Sequence, residues 1–236
     1  MADVTVTDRT INAIKSMIVE GELRPGDRLP PEKELSERLD VSRNSLREAV
    51  KALSVIRVLA VRQGDGTYVT SLAPDLLIEA VGFVLELHQD SEMVHMLEVR
   101  RLLEPSAVES ACAHLTAEDL QALEDLMAPL GADSDISTLV EADMKFHHLI
   151  NSRCGNPYLS SLLDGLASST ARARLWRGLT EDFAVERTLN EHRRILEALR
   201  QGRGDLARIH AAAHVAGVEG WVAQGTATDA AASDPA

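Results

Sequence analysis

Aromatic side chains are scarce in this sequence: three Phe, two Trp and two Tyr among 236 residues. In their place stand Ala, Leu, Val, Glu and Arg, a composition that favours helices. Cysteine is scarcer still. Cys112 and Cys154 sit in no CxxC pattern, which excludes a disulfide framework and a cysteine metal knuckle. No apolar run is long enough to span a membrane. The opening MADVTVTDRT reads as neither a signal nor a transit peptide. No membrane partner and a cytoplasmic, soluble protein are expected.

An excess of positive charge is also missing, since the net charge is −13. The imbalance is local. Residues 1–72 hold 11 basic and 11 acidic side chains, so the whole −13 lies beyond them. Bulk acidity argues against nucleic acid, but a neutral N-terminal part with clustered arginines permits it. Within that part a helix is expected from Thr7 or Asp8 to Gly21, with Ile11, Ile14 and Ile18 on one face. LRPGDRLPPE follows as a turn-rich connector. A second helix runs from Pro31 to about Leu39, and a third, capped by Ser42, from Arg43 to about Ser54. VLAVRQGDGTYVT then reads as strand, tip at Gly64-Asp65-Gly66, strand. Three helices and a hairpin make a winged helix-turn-helix, residues 1–72.

A recognition helix needs donors near its N-terminal end. Here Arg43 can fork onto a guanine, and Asn44 can pair with adenine or phosphate. Ser42 and Ser45 are short phosphate donors, and Arg47 lies one turn on. Lys33 opens the preceding helix, while Gln63 and Gly64 lie at the wing. The competing reading of these residues is a solvated basic face. The stretch LRPGDRLPPEKELSERLDVSRNSLREAVKAL…VRQGDGTYV closely resembles the DNA-binding domain of the GntR family of bacterial transcription regulators, over about residues 9–70. The resemblance implies DNA contacts at Lys33, Ser42, Arg43, Asn44, Arg47, Gln63 and Gly64. One position departs from the family pattern. Arg57 stands where a glycine usually follows the recognition helix, so either strain or a longer helix is expected there.

After a linker at 71–75 there is no strand pattern and no internal repeat. Helices are expected near 76–88, 91–113, 117–128, 136–152, 157–176, 182–201 and 205–223, forming an all-helical domain over 76–224. Pro105 should kink or interrupt the second of them. The tail, residues 225–236, reads as disordered. The stretch EADMKFHHLI (141–150) poses a question. An apolar stripe through Ile136, Leu139, Val140, Phe146 and Ile150 also passes through Asp143 and His147, where polar groups are costly unless partnered. Five of the eight histidines fall between 147 and 214. His192 shares a stripe with Val185, Leu189, Ile195 and Leu199, and His214 lies one turn beyond His210. Asp143, His147, His192 and His214 would form a three-nitrogen, one-oxygen site for a divalent metal, zinc foremost, with nickel or manganese as alternatives. His210 competes with His214. Glu141, His148, Glu191 and Arg193 are expected to point elsewhere. The competing reading is a set of core histidines bonded to carboxylates.

EVRRLLEPSAVESA (98–111), DMKFH (143–147), NPYL (156–159) and EHRRILEAL (191–199) resemble the all-helical FCD effector domain of the FadR subfamily, over about 76–222. That resemblance implies metal ligands at Asp143, His147, His192 and His214, and a small carboxylate effector held beside the metal with help from Arg100. An Arg100–Glu104 salt bridge is the competing reading, and Arg172 or Arg174 are further candidates by location. The expected function is that of a ligand-responsive transcription regulator, a repressor by family habit. It would bind double-stranded DNA with two symmetric half-sites as a homodimer. Two alternatives stand beside it: an acyl-CoA sensor without metal, and a metal-dependent hydrolase, for which no general base or nucleophile motif is evident.

Overall fold

The computed structural model describes residues 5–74, 76, 93–181 and 183–232. The expected helix at 76–88 therefore lies outside the described residues, apart from residue 76. The chain divides into two compact units, Met1–Ala80 and Val81–Ala236.

In the first unit α1 spans Val6–Val19, α2 Glu32–Arg38 and α3 Arg43–Val55. Strands β1 (Leu59–Arg62) and β2 (Gly66–Val69) pair antiparallel, with Leu59 opposite Val69 and Arg62 opposite Gly66. Thr5 and Asp8 form a reciprocal capping box at the start of α1. Ser42 Oγ accepts from the Ser45 N–H at 3.0 Å, as expected of an N-cap. The core is aliphatic: Ile14, Met17, Leu23, Leu29, Leu35, Leu46, Leu53, Leu59 and Val69. Ile11 and Ile18, expected on the buried face of α1, only flank it, because Met17 takes the inward place. Arg57 resolves its alternatives in favour of strain. Its φ is +60°, and the chain closes a Schellman turn with Arg57 N–H on the Ser54 carbonyl (3.2 Å) and Val58 N–H on Leu53 (2.9 Å).

The second unit is all helix among its described residues. In order these are α4 (Met93–Ala111), α5 (Ala117–Met127), α6 (Ile136–Ser152), α7 (Pro157–Ser169), α8 (Ala171–Thr180), α9 (Ala184–Arg200) and α10 (Gly204–Ala232). Helices α4 and α10 share the most extensive packing. Small buried residues, Ala107 and Ala111 on one and Ala207 and Ala211 on the other, favour close approach of two helix backbones. Around them pack Val108, Leu123, Phe146, Ile150, Leu189, Ile195 and Leu199.

Three expectations need correcting. Pro105 does not interrupt α4, which continues through it with the proline buried, despite the backbone bond that proline cannot make. The single helix expected over 157–176 is two. Thr170 breaks it at φ −93°, ψ 3°, and its hydroxyl bonds back to the Leu166 carbonyl at 2.8 Å. The last helix continues to Ala232, so residues 225–232 are helical rather than the disordered tail expected from Gly225; the alanine-rich sequence makes extension inexpensive.

Candidate metal centre and DNA-reading surface

Helix α6 is started by Asp135, whose carboxylate accepts from the Ser137 and Thr138 N–H groups at 3.0 and 3.3 Å. Starting there sets the phase that turns Leu139, Ala142, Asp143, Phe146, His147 and Ile150 inward. Asp143 is 3% exposed and His147 1%. His192 arrives from α9 with its ring stacked on Phe146, centroids 4.3 Å apart. His214 arrives from α10, also 1% exposed. The competitor His210 stays outside, and so does His148, as expected. His210 is only partly buried and His148 is exposed, with its Nδ1 2.9 Å from Asp164. Glu141 pairs with Lys145, and Arg193 with Asn190, at the surface.

Four donor atoms converge. Asp143 Oδ1 lies 3.1 Å from His192 Nε2, 3.6 Å from His147 Nε2 and 3.7 Å from His214 Nε2; the two last nitrogens are 3.2 Å apart. Donors at zinc–nitrogen distances of about 2.0–2.1 Å in a tetrahedron are separated by about 3.3 Å. One donor atom from each residue fits within 4.8 Å of all the others. Asp143 Oδ1 and His192 Nε2 are buried and, although 3.1 Å apart, make no well-formed hydrogen bond, which is costly unless something joins them.

The far sides of two imidazoles are held by carboxylates. His147 Nδ1 is 2.5 Å from Glu104 Oε1, and His214 Nδ1 is 2.8 Å from Glu191 Oε2. A carboxylate behind Nδ1 keeps its proton there and leaves the Nε2 lone pair for a ligand, the arrangement found behind metal-bound histidines. Glu191, expected to point away, does so from its own neighbour His192 but reaches across to His214. Glu104 is buried and gripped by Arg100, whose Nε and Nη2 lie 2.9 and 2.8 Å from its Oε2, while Arg100 Nη1 donates to Thr170 Oγ1 at 3.1 Å. Asp143 Oδ2 is held by Arg174.

These interactions set the charges. Burial opposes the charge on Glu104, but Arg100 and then His147 overcome it and hold its carboxyl well below the usual range. Asp143 is held low in the same way, chiefly by Arg174. Burial disfavours the His147 cation too, yet Glu104 and Asp143 push its pKa up to about 9. His192 falls to about 4, led by burial. Without an ion, the two carboxylates beside His147 thus favour its charged form, whereas burial favours neutral His192.

Of the residues expected to reach DNA, Ser42, Arg43, Asn44 and Arg47 cluster on the first turns of α3, and all four are exposed. Lys33 is exposed on the first turn of α2, and Gln63 and Gly64 on the β1–β2 turn. Arg47 Nε also pairs with Glu32 at 3.0 Å, at the surface. Sequence reasoning missed what holds the wing. Arg28 donates to the Asp65 carbonyl, and a Cβ on Gly66 would meet Arg28 Nε at 2.5 Å. Arg62 stacks over Tyr68 at 4.4 Å, while the Tyr68 hydroxyl bonds Asp65 at 2.9 Å. Arginines in a turn-rich connector and a strand give no periodic signal.

Comparison with known families agrees with both units. Residues 6–69 match the model for bacterial regulatory proteins of the gntR family, and residues 95–217 match the FCD domain. The chain is 31% identical over 209 residues to the HTH-type transcriptional regulator LutR of Bacillus subtilis (strain 168), covering 86% of this chain and 94% of that protein. It is 32% identical over 211 residues to the galactonate operon transcriptional repressor of Escherichia coli (strain K12), covering 85% and 90%.

This chain belongs to the GntR family.

A solved GntR of Streptococcus agalactiae shares the fold at a TM-score of 0.64 and 30% identity, over 91% of this chain and 99% of that one. As a GntR-family member with an FCD domain, the chain is a DNA-binding transcription regulator and not an enzyme. All four convergent donors lie inside the FCD match, and all the exposed donors of α2, α3 and the wing lie inside the gntR match. Among the described residues no helix is long and apolar enough to cross a membrane.

Proposed function

We propose that this GntR-family regulator is a homodimeric, cytoplasmic repressor whose FCD domain binds a divalent metal, zinc foremost, together with a small carboxylate effector. The observation that carries the metal is the meeting of four buried donors on three helices, two of whose inward atoms make no well-formed hydrogen bond. Three neutral imidazoles and one carboxylate suit zinc, with nickel or manganese as alternatives. Asp143, His147, His192 and His214 would hold the ion, and Glu104 and Glu191 would orient two of them. A bound ion supplies positive charge for a carboxylate placed beside it.

Beside the donors lies a small cavity lined by Leu139, Val140, Asp143, Arg174, Arg177, Gly178, Thr188 and His214, among others. Arg174 and Arg177, paired with Asp143 and Glu181, and the Thr188 hydroxyl are the groups there that an anion would engage, in competition with those carboxylates. Arg100 is not among its lining residues. Its support for the effector would run through Glu104 and His147 rather than through direct contact. For DNA we assign Arg43 and Asn44 to base edges, Lys33, Ser42 and Arg47 to phosphates, and Gln63 and Gly64 to the wing contact. One recognition helix per chain implies a two-fold dimer and an operator of two symmetric half-sites. Repression follows the galactonate relative, whose name states it.

Metal content per subunit, by mass spectrometry on untagged protein purified without chelator, tests the metal reading. About one ion, lost in His192→Ala, is expected; none, even after adding zinc back, refutes it. A gel shift with DNA flanking the gene tests the DNA reading: no specific complex, or one that Arg43→Ala leaves unchanged, counts against it.

A further inference from the structure

A cleft opens in the first unit between α3 and the β1–β2 hairpin. Its free space is about 470 Å³, many times the roughly 10–15 Å³ that a single water needs. Arg28, Arg47 and Lys51 bring three cations to it, and Glu32 brings one carboxylate. Buried Leu35 and Leu46 and half-buried Val50 add an apolar wall. Residues 1–72 carry no net charge, so this excess of positive charge is local. Low-dielectric walls around charges of one sign focus their field on whatever enters.

The two sides of the cleft are the elements assigned above to DNA. On α3, Arg47 lies one turn beyond Arg43 and Lys51 one turn beyond Arg47, all exposed. Opposite them stand Val61, Gly66 and Thr67 of the wing, whose tip carries Gln63 and Gly64. Neighbouring grooves of a duplex are separated by one phosphate strand. With α3 in one groove and the wing tip in the next, that strand passes between them. The width of the passage is held from the wing side. Leu29 N–H bonds the Thr67 carbonyl at 2.8 Å and Gly26 N–H the Val69 carbonyl at 2.9 Å, which ties the connector to β2. Arg28 then donates to the Asp65 carbonyl across Gly66. Arg28 is thus occupied by the wing, and Arg47 Nε by Glu32 at 3.0 Å. Lys51 has no ion-pair partner among the described residues.

Building on the DNA reading above, we propose that this cleft seats the phosphate strand between two grooves. Lys51 is its contact, and Arg28 is the positioning residue that holds the wing wall opposite. The ligand class is a phosphodiester. An ammonium on a flexible stem follows a phosphate whichever base is attached to it. The contact therefore adds affinity and fixes register without reading sequence, unlike Arg43.

The test uses the full-length protein with two duplexes of equal length, one flanking the gene and one of random sequence. Affinity is read by filter binding across a salt series, and contacts by hydroxyl-radical footprinting. Lys51→Met should flatten the slope of log affinity against log salt by about 0.9 on both duplexes and leave their affinity ratio unchanged. It should also erase protection of the strand between the two grooves, and Lys51→Arg should keep both slope and protection. An unchanged slope overturns the proposal. So does a flatter slope with protection intact, which marks a long-range charge, or an altered affinity ratio, which marks a base reader. Lys51 is exposed, and circular dichroism checks that the variant folds. Arg28→Met should lessen what Lys51 contributes, so the double variant loses less affinity than the sum of the single losses. Additive losses overturn the role given to Arg28. Wild-type binding to neither duplex would instead defeat the DNA reading itself.

Discussion

Arg100→Met tests how the buried charges of the second unit depend on one another. Arg100 is 2% and Glu104 1% exposed, and the guanidinium reaches one carboxylate oxygen through two nitrogens. Removing the arginine leaves Glu104 buried with only His147 opposite it. Orphaning one partner of such a pair costs about 3–5 kcal/mol. Arg100→Met also strips Thr170 of a donor at the α7–α8 break, a smaller loss. For a unit of this size each kcal/mol moves the melting midpoint by roughly 2–4 °C, so a drop of roughly 10 °C is expected. Both tryptophans, Trp176 and Trp221, lie in the second unit, so tryptophan fluorescence during heating reports its unfolding alone. The measurement is made in chelator, so that no ion contributes. The double variant Arg100→Met/Glu104→Gln removes both charges, and its loss should be smaller than the sum of the two single losses. A single variant within about 1 kcal/mol of wild type, or strict additivity in the double, would refute the reasoning.

Zinc at about a hundred times its Kd should stabilise the second unit by about 2.7 kcal/mol in the same fluorescence melt, and His192→Ala should abolish the shift. Arg57→Gly should stabilise the first unit by about 1 kcal/mol, because glycine adopts φ +60° without a Cβ penalty; hydrogen exchange along α3 would show slower opening, and faster opening would contradict it. Asp119 caps α5 and accepts from Arg153 at 2.8 Å, which, with the backbone of Thr116, lowers its carboxyl below 3.8. A lowered folded pKa gives stability that is present above the unfolded value and lost as pH falls through the folded one. Asp119→Asn should therefore cost about 1 kcal/mol at pH 7 and progressively less as pH falls below 3.8, and a cost that does not change with pH would count against it. In a filter-binding titration, Arg43→Ala should lose about 1–3 kcal/mol of specific affinity, while Lys33→Ala should flatten the salt dependence by about one unit of slope.

The winged helix-turn-helix was legible because its signals are local. Ser42 caps its own helix, Gly64 and Gly66 mark their own turn, and Ile11, Ile14 and Ile18 repeat at helical spacing on α1. The inward phase of α6 was legible for the same reason, since a stripe that contains Asp143 and His147 must bury them. That His147 rather than His148 faces in was legible too, because neighbouring apolar residues fix the rotation of α6, whereas spacing alone left His210 and His214 open and only the family resemblance preferred His214. What no single segment contains was decided by tertiary structure. Glu104 behind His147, Glu191 behind His214 and Arg174 on Asp143 join helices far apart in sequence, and periodicity within one helix carries no record of them. The break at Thr170 belongs with these: one threonine in a helical run has little effect by itself, but Arg100 on its hydroxyl and a cavity beside the next turn make it the point where α7 ends and α8 begins.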